Sequence, residues 1–67
     1  MEKDWVKIFE SSNEARTEMA RQLLRDNDID SVIINKKDRS YGFGEYELYC
    51  MRDYVIRAKL YLKEFQP

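Results

Sequence analysis

Few side chains in this sequence could perform catalysis. The chain has no histidine and a single cysteine, Cys50. Histidine is the usual acid–base group near neutral pH, and a nucleophile such as a thiol needs an activating partner. Cys50 fits a buried core thiol, and Glu45 and Glu47 fit solvated charges on one face of a strand. We therefore predict a protein that is not an enzyme and that holds no metal and no cofactor.

The segment 36–44 is the strongest candidate for a binding site, and it contains both glycines of the chain. It is expected to lie beside the N-terminus of the first helix, where a basic loop suits an anion. We expect it to contact an unidentified protein or a small anionic ligand, and the alternative is a polar hairpin tip whose aromatic rings fold back onto the sheet. The predicted contact residues are Lys36, Lys37, Arg39, Tyr41 and Phe43.

Part of this segment is similar to the aromatic strand of the RNA-recognition motif, in which aromatic rings stack on bases. Arg39, Gly42 and the aromatic positions fit that pattern, whereas Ser40 and Gly44 do not. The formal net charge of −1 also disfavours nucleic acid as a partner. Binding of single-stranded RNA is therefore kept as the alternative function, through Tyr41, Phe43, Tyr46 and Tyr49.

The composition is that of one small globular domain spanning residues 1–67. Apolar residues make up 43% of the chain and charged residues 37%, with 12 basic and 13 acidic side chains. The charges nearly cancel, so no long-range field favours an anionic membrane. Apolar runs are too short for a membrane span or a signal peptide, and a free thiol suits a reducing compartment. We expect a cytoplasmic location.

Three strands and two helices are predicted along the chain. Runs of β-branched and aromatic residues predict strands near 4–10, 31–36 and 45–50. Apolar residues at helical spacing predict helices near 12–27 and 53–65.

Polar residues mark the ends of these helices. Ser11 and Glu14 are expected to form a capping box at the start of the first helix, and Asp53 is expected to cap the second. Asn27 or Asp28 should take the left-handed conformation that ends the first helix.

Apolar positions at strand and helix spacing define a predicted core. Thr17 should face away from it, and Ile56 and Leu60 lie outside the apolar seam of the second helix. The predicted core residues are Val6, Ile8, Ala15, Met19, Leu23, Val32, Ile34, Leu48, Val55, Ala58 and Leu62.

The element order is βαββα, and connection rules restrict its topology. A crossover from the first strand to a parallel second strand leaves a gap that the third strand can fill, antiparallel to both. We therefore predict an α+β fold with sheet order 1-3-2 and both helices on one face. This is a ferredoxin-like fold without its last strand.

The sequence resembles a family of short bacterial domains of unknown function that are called prokaryotic signal-transducing proteins. The resemblance covers roughly residues 4–64 and implies a fold related to the nitrogen-regulatory PII proteins. Those proteins touch their targets with the loop between the second and third strands, which implies a regulatory or adaptor role for segment 36–44. The residues that carry the resemblance are Trp5–Phe9, Glu14-Ala15, Leu23-Leu24, Ile29, Asn35–Asp38 and Phe43–Tyr49.

Self-association is expected because the first strand is a sheet edge with one lysine and no proline to blunt it. We predict a homo-oligomer, most simply a two-fold dimer, through the sheet face or this edge. The predicted interface residues are Trp5, Phe9 and Tyr49, on the sheet side away from the helices. The alternative is a monomer in which the C-terminal segment around Phe65 and Pro67 folds back over the edge.

Overall fold

The computed structural model describes residues 3–36 and 45–65. They form an α+β arrangement in the predicted order of strands and helices. The elements are β1 (Trp5–Ser11), α1 (Glu14–Asp26), β2 (Ser31–Asn35), β3 (Tyr46–Met51) and α2 (Val55–Tyr61). Short 3-10 turns, Arg52–Tyr54 and Leu62–Phe65, precede and follow α2.

The three strands form one antiparallel sheet in the order β1-β3-β2, which confirms the predicted strand order. β1 and β2 run in the same direction on either side of β3. Ser11 and Asn35 both pair with Tyr46, so the last residues of β1 and β2 lie at the same end of the sheet. Lys36 and Glu45, which border residues 37–44, therefore lie at the end of the sheet where α1 begins, as expected.

An irregularity in β1 overturns the predicted position of Phe9. The pairing with β3 shifts between Lys7 and Phe9, so β1 has one more residue than β3 at this point. The extra residue breaks the alternation of side chains, and both Ile8 and Phe9 point into the core. Phe9 is only 6% exposed and does not lie with Trp5 on the open face of the sheet.

The ends of α1 are set by local hydrogen bonds. Asn13 is the N-cap, and its side chain accepts from the backbone N–H of Arg16, whereas Ser11 Oγ accepts from the N–H of Asn13. The predicted capping box at Ser11 is therefore wrong by two residues. At the other end Asp28 takes the left-handed conformation, with φ of 65°.

The turn after α1 closes a Schellman motif. The backbone N–H of Ile29 donates to the carbonyl of Leu24 at 2.9 Å, and that of Asp28 donates to the carbonyl of Arg25 at 3.0 Å. Ile29 and Leu24 are both fully buried, which supplies the apolar contact that accompanies this motif. Ile29 is thus a core residue that the predicted core did not include.

The helix face that α1 buries differs from the predicted one. Thr17 and Ala20 are fully buried with Leu24, whereas Ala15 is exposed and Met19 is 61% exposed. The small side chains at 17 and 20 can lie close to the sheet. The Thr17 hydroxyl donates to the carbonyl of Asn13 at 3.1 Å, so its burial leaves no unpaired polar group.

One core lies between the sheet and the two helices, which pack on the same face of the sheet. Leu23, Ile33, Val55, Tyr61 and Phe65 pack around it as half-buried residues. Among the residues predicted for the core, Val6 and Ile34 are half-buried, and Val32 is exposed. The buried apolar cluster consists of Ile8, Phe9, Ala20, Leu24, Ile29, Leu48, Cys50, Ala58 and Leu62.

The apolar seam of α2 is confirmed by the burial of Ala58 and Leu62. Ile56 and Leu60 are 79% and 66% exposed, as expected for residues outside the seam. No side chain caps α2 or the turn before it, so the predicted cap at Asp53 is wrong. In the described ranges neither helix has the length and apolar composition needed to cross a membrane.

Candidate functional site

A network of charged side chains occupies the open face of the sheet, the face away from the helices. At its centre lies Glu47, on the central strand β3. Successive residues of a strand point to opposite faces, so Glu47 and Tyr49 share this face, whereas Tyr46, Leu48 and Cys50 point to the helices. Glu47 is only 8% exposed.

Three side chains contact the Glu47 carboxylate. Lys36 places Nζ 3.2 Å from Oε1, and Lys7 places Nζ 3.5 Å from Oε2. The Tyr49 hydroxyl donates to Oε1 at 2.8 Å. Lys7 also pairs with Glu10 at 2.8 Å, and Glu10 lies directly opposite Glu47 in the strand register. Lys7 thereby offsets the repulsion between two carboxylates that lie opposite each other on adjacent strands.

These contacts move three pKa values away from neutrality. Burial opposes ionisation of Glu47, yet hydrogen bonds from Tyr49 and Lys36 and the nearby lysine charges hold the pKa of its carboxyl below the ordinary 4.5. The hydrogen bond to Glu47 raises the pKa of Tyr49 above 10.0. The hydrogen bond to Glu10 raises the pKa of Lys7 above 10.5. Near pH 7 each group thus stays in its ordinary charge state.

The network is therefore better suited to ordering the open face of the sheet than to transferring protons. Acid–base catalysis is most efficient when a pKa lies near the working pH. At Cys50, burial raises the pKa of the thiol above its ordinary 9.0, which keeps it protonated and inert. Within residues 3–36 and 45–65, no group of three or more Cys, Asp and Glu side chains could hold a metal ion.

Of the predicted contact residues in segment 36–44, the structure places one. Lys36 follows β2, and its backbone N–H donates to the carbonyl of Glu45 at 2.6 Å. Its side chain pairs with Glu47, so Lys36 fastens the base of the segment to the sheet. The other predicted contact residues lie outside the described residues: Lys37, Arg39, Tyr41 and Phe43.

Two of the residues proposed for RNA stacking, Tyr46 and Tyr49, lie on opposite faces of the sheet. Tyr46 is buried on the helix side of the sheet and Tyr49 lies half-buried on the open face. A base cannot stack on Tyr46 without displacing the core, so the structure removes it from the predicted platform. Tyr41 and Phe43 lie outside the described residues.

The residues predicted for the oligomer interface do not all lie on one face of the sheet. Trp5 and Tyr49 are half-buried and belong to the open face, whereas Phe9 is in the core. The Phe9 ring packs edge-to-face on Phe65, with centroids 6.1 Å apart. The C-terminal segment thus folds back against β1 at Phe65, as the monomer alternative expected, and Pro67 lies outside the described residues.

A second surface, which the sequence reasoning missed, lies along the free edge of β1. Arg16 of α1 and Lys59 and Lys63 of the C-terminal helical segment converge beside residues 7–11. These three cations are far apart in sequence, so no local motif shows them. The only signal was the i, i+4 spacing of Lys59 and Lys63, which puts them on one side of a helix.

The chain was compared with protein-family models, with curated proteins and with solved structures, and nothing matches it.

Proposed function

We propose that the protein is a non-enzymatic binding module with a regulatory or adaptor role, which contacts a protein or a small anionic ligand through segment 36–44. The observation that carries this proposal is the anchoring of the segment at its base. Lys36 is bonded through its backbone to Glu45 and through its side chain to Glu47. A binding loop on a rigid scaffold loses less conformational entropy when a ligand binds.

The charge states of the sheet network support binding over catalysis. Glu47 is held ionised, and Lys7 and Tyr49 are held protonated, so none of them exchanges protons readily near pH 7. The network instead orders the open face next to the segment. Lys37 and Arg39 then supply cations for an anionic group.

The strand order and the packing of both helices on one face are compatible with the ferredoxin-like fold that we propose. The resemblance to prokaryotic signal-transducing proteins supports the same function, because their PII relatives use the corresponding loop to touch targets. Tyr41 invites comparison with the tyrosine that is modified in some PII proteins. A cytoplasmic location belongs to this proposal as well.

The test is capture of partners on the immobilised protein from a bacterial lysate, followed by mass spectrometry. The informative variant is Lys37→Ala combined with Arg39→Ala, which spares Lys36 and its bond to Glu47. The matched control is Arg25→Ala combined with Arg57→Ala, which removes the same charge from exposed helix positions.

We expect the wild type and the control to capture the same partners, and the Lys37/Arg39 variant to lose them. The same partners on all three proteins would show that segment 36–44 is not the contact.

A further inference from the structure

A groove with a volume of about 790 Å³ runs beside β1, and we call it the β1 groove. Residues 7–11 of the strand form one wall, and Arg16, Lys59, Lys63 and Phe65 form the other. The described lining includes no residue of β2 or β3. The groove therefore opens at the edge of β1 that faces away from the sheet.

The backbone along this edge can accept another strand. In the part of the chain that the structure describes, β1 pairs with β3 on one side and is the last strand of the sheet. In the described ranges, the hydrogen bonds outside the regular ladder leave the outer groups of residues 7–11 unpaired. An edge strand presents unpaired N–H and C=O groups to an extended peptide. The extra residue between Lys7 and Phe9 interrupts their regular spacing once, so an added strand must follow the same irregularity.

Four of the five charged side chains in the described lining are cationic, although the whole chain has a formal net charge of −1. Lys7 is already paired with Glu10 and Glu47. By contrast, no carboxylate of the described residues lies within 4.0 Å of Arg16, Lys59 or Lys63. These unneutralised cations line one side of the groove and favour an anionic occupant.

Arg16 is held in position before any ligand binds. Its guanidinium lies 5.5 Å from the centre of the Phe65 ring, and Nη2 donates to the Phe65 carbonyl. Both partners are uncharged, so they orient the positive charge without neutralising it. The Phe65 ring, packed against Phe9, adds an apolar surface beside it.

We propose that the β1 groove binds an extended acidic segment of a partner protein, which adds to β1 as a further strand. Its backbone pairs with residues 7–11. Because strand side chains alternate, acidic residues at every second position face Arg16, Lys59 and Lys63, and the residues between them face the open side of the sheet. This surface is distinct from segment 36–44.

A second copy of the chain fits this groove less well. Pairing of β1 with β1 around a two-fold axis would bring the same unneutralised cations of both copies to one interface. Like charges at an interface oppose association. Charge complementarity therefore selects an acidic partner over the protein itself.

The test uses a fluorescent synthetic peptide in which Glu and Val alternate, with fluorescence anisotropy as the measurement of affinity. We expect saturable binding that weakens with salt. A peptide with Gln in place of every Glu should bind on the order of tenfold more weakly. The Glu–Val peptide with methylated backbone nitrogens at alternate positions should not bind, because it cannot complete the ladder.

Lys59→Gln combined with Lys63→Gln should lower the affinity for the Glu–Val peptide on the order of tenfold, because two exposed ion pairs are lost. The matched control, Arg25→Gln with Arg57→Gln, has the same net charge and should bind as the wild type does. Circular dichroism checks that both variants fold. Amide NMR should show increased exchange protection in residues 7–11 on binding.

Any of three results would overturn the proposal. The Glu and Gln peptides could bind equally well, the two double variants could bind the peptide equally well, or the amide changes could be confined to other strands. Sedimentation of the protein with and without the peptide tests whether a second copy occupies the groove. A dimer that the Glu–Val peptide dissociates would show that β1 is a self-association edge. Lys37→Ala with Arg39→Ala should leave peptide affinity unchanged. A loss of peptide affinity in that variant would instead place the peptide on segment 36–44.

Discussion

Glu47 shows how one side chain can organise a surface. It connects β1, β3 and the residue after β2 through Lys7, Tyr49 and Lys36. A hydrogen bond to a buried charged group contributes more than a neutral one, and its loss leaves polar partners unpaired.

Glu47→Gln should therefore lower the free energy of unfolding by about 1–3 kcal/mol, because an ionised acceptor of several bonds is lost. Urea denaturation measures the change. Glu45→Gln, two residues earlier and outside any ion pair of the described residues, is the control and should have little effect. Equal effects of the two substitutions would contradict the role assigned to Glu47.

The network also predicts how stability depends on pH. The pKa of Glu47 in the folded protein lies below 4.5, so its contribution is present above pH 4.5 and is lost as pH falls through the folded value. In Glu47→Gln, unfolding monitored by circular dichroism should lose this part of the acid dependence. If stability falls at low pH in Glu47→Gln as it does in the wild type, other carboxylates cause the loss.

On the alkaline side the sign is reversed. The pKa of Tyr49 lies above 10.0 and that of Lys7 above 10.5 in the folded protein. Their contributions are present below those ordinary values and are lost as pH rises through the higher folded values.

At the scale of elements, the irregular pairing in β1 decides which aromatic residues the core contains. It turns Phe9 inward against Phe65, while Trp5 remains on the open face.

Phe9→Ala should cost about 3–5 kcal/mol of stability, because a buried aromatic ring is removed. Trp5→Ala should cost clearly less, since Trp5 is half-buried at the start of the strand. Thermal or urea denaturation of the two variants decides between this placement and regular alternation along β1. Similar losses in both would favour regular alternation.

The turn after α1 makes a second prediction at this scale. Asp28 has φ of 65°, a conformation that β-branched residues strongly disfavour. Asp28→Val should destabilise the protein by about 1–2 kcal/mol, whereas Asp28→Gly should be neutral or slightly stabilising. Denaturation midpoints test the order, and a Val variant as stable as the Gly variant would mean that the turn takes another conformation.

At the scale of the whole molecule, the two-fold dimer stays a prediction. With Phe9 buried, its contact surface shrinks to the open face around Trp5 and Tyr49, where Glu47 and its lysines also lie. Sedimentation equilibrium at micromolar concentration should then give about twice the chain mass of 8.2 kDa, and Trp5→Ala should return it to the single-chain mass. An 8.2 kDa species for the wild type would establish the monomer alternative.

Local patterns predicted much of the fold and one part of the candidate site. The strands follow β-branched and aromatic runs, and the order β1-β3-β2 follows from connection rules. Lys36 was expected at a binding segment, but its bond to Glu47 was not, because that contact joins different strands. Arg16, Lys59 and Lys63 went unnoticed as a set because α1 and the C-terminal helical segment are far apart in sequence.

The sequence by itself determined the kinds, order and approximate bounds of the elements, because propensity and periodicity act between near neighbours. It also restricted the left-handed residue after α1 to Asn27 or Asp28, since few residues tolerate that conformation, and the structure places it at Asp28. Only the tertiary structure decided which way Phe9 points, since one extra residue in β1 reverses the alternation. It also decided that α1 turns Thr17 and Ala20 to the sheet. Close packing selects the small side chains there, and the width of the apolar stripe in the sequence does not specify that rotation.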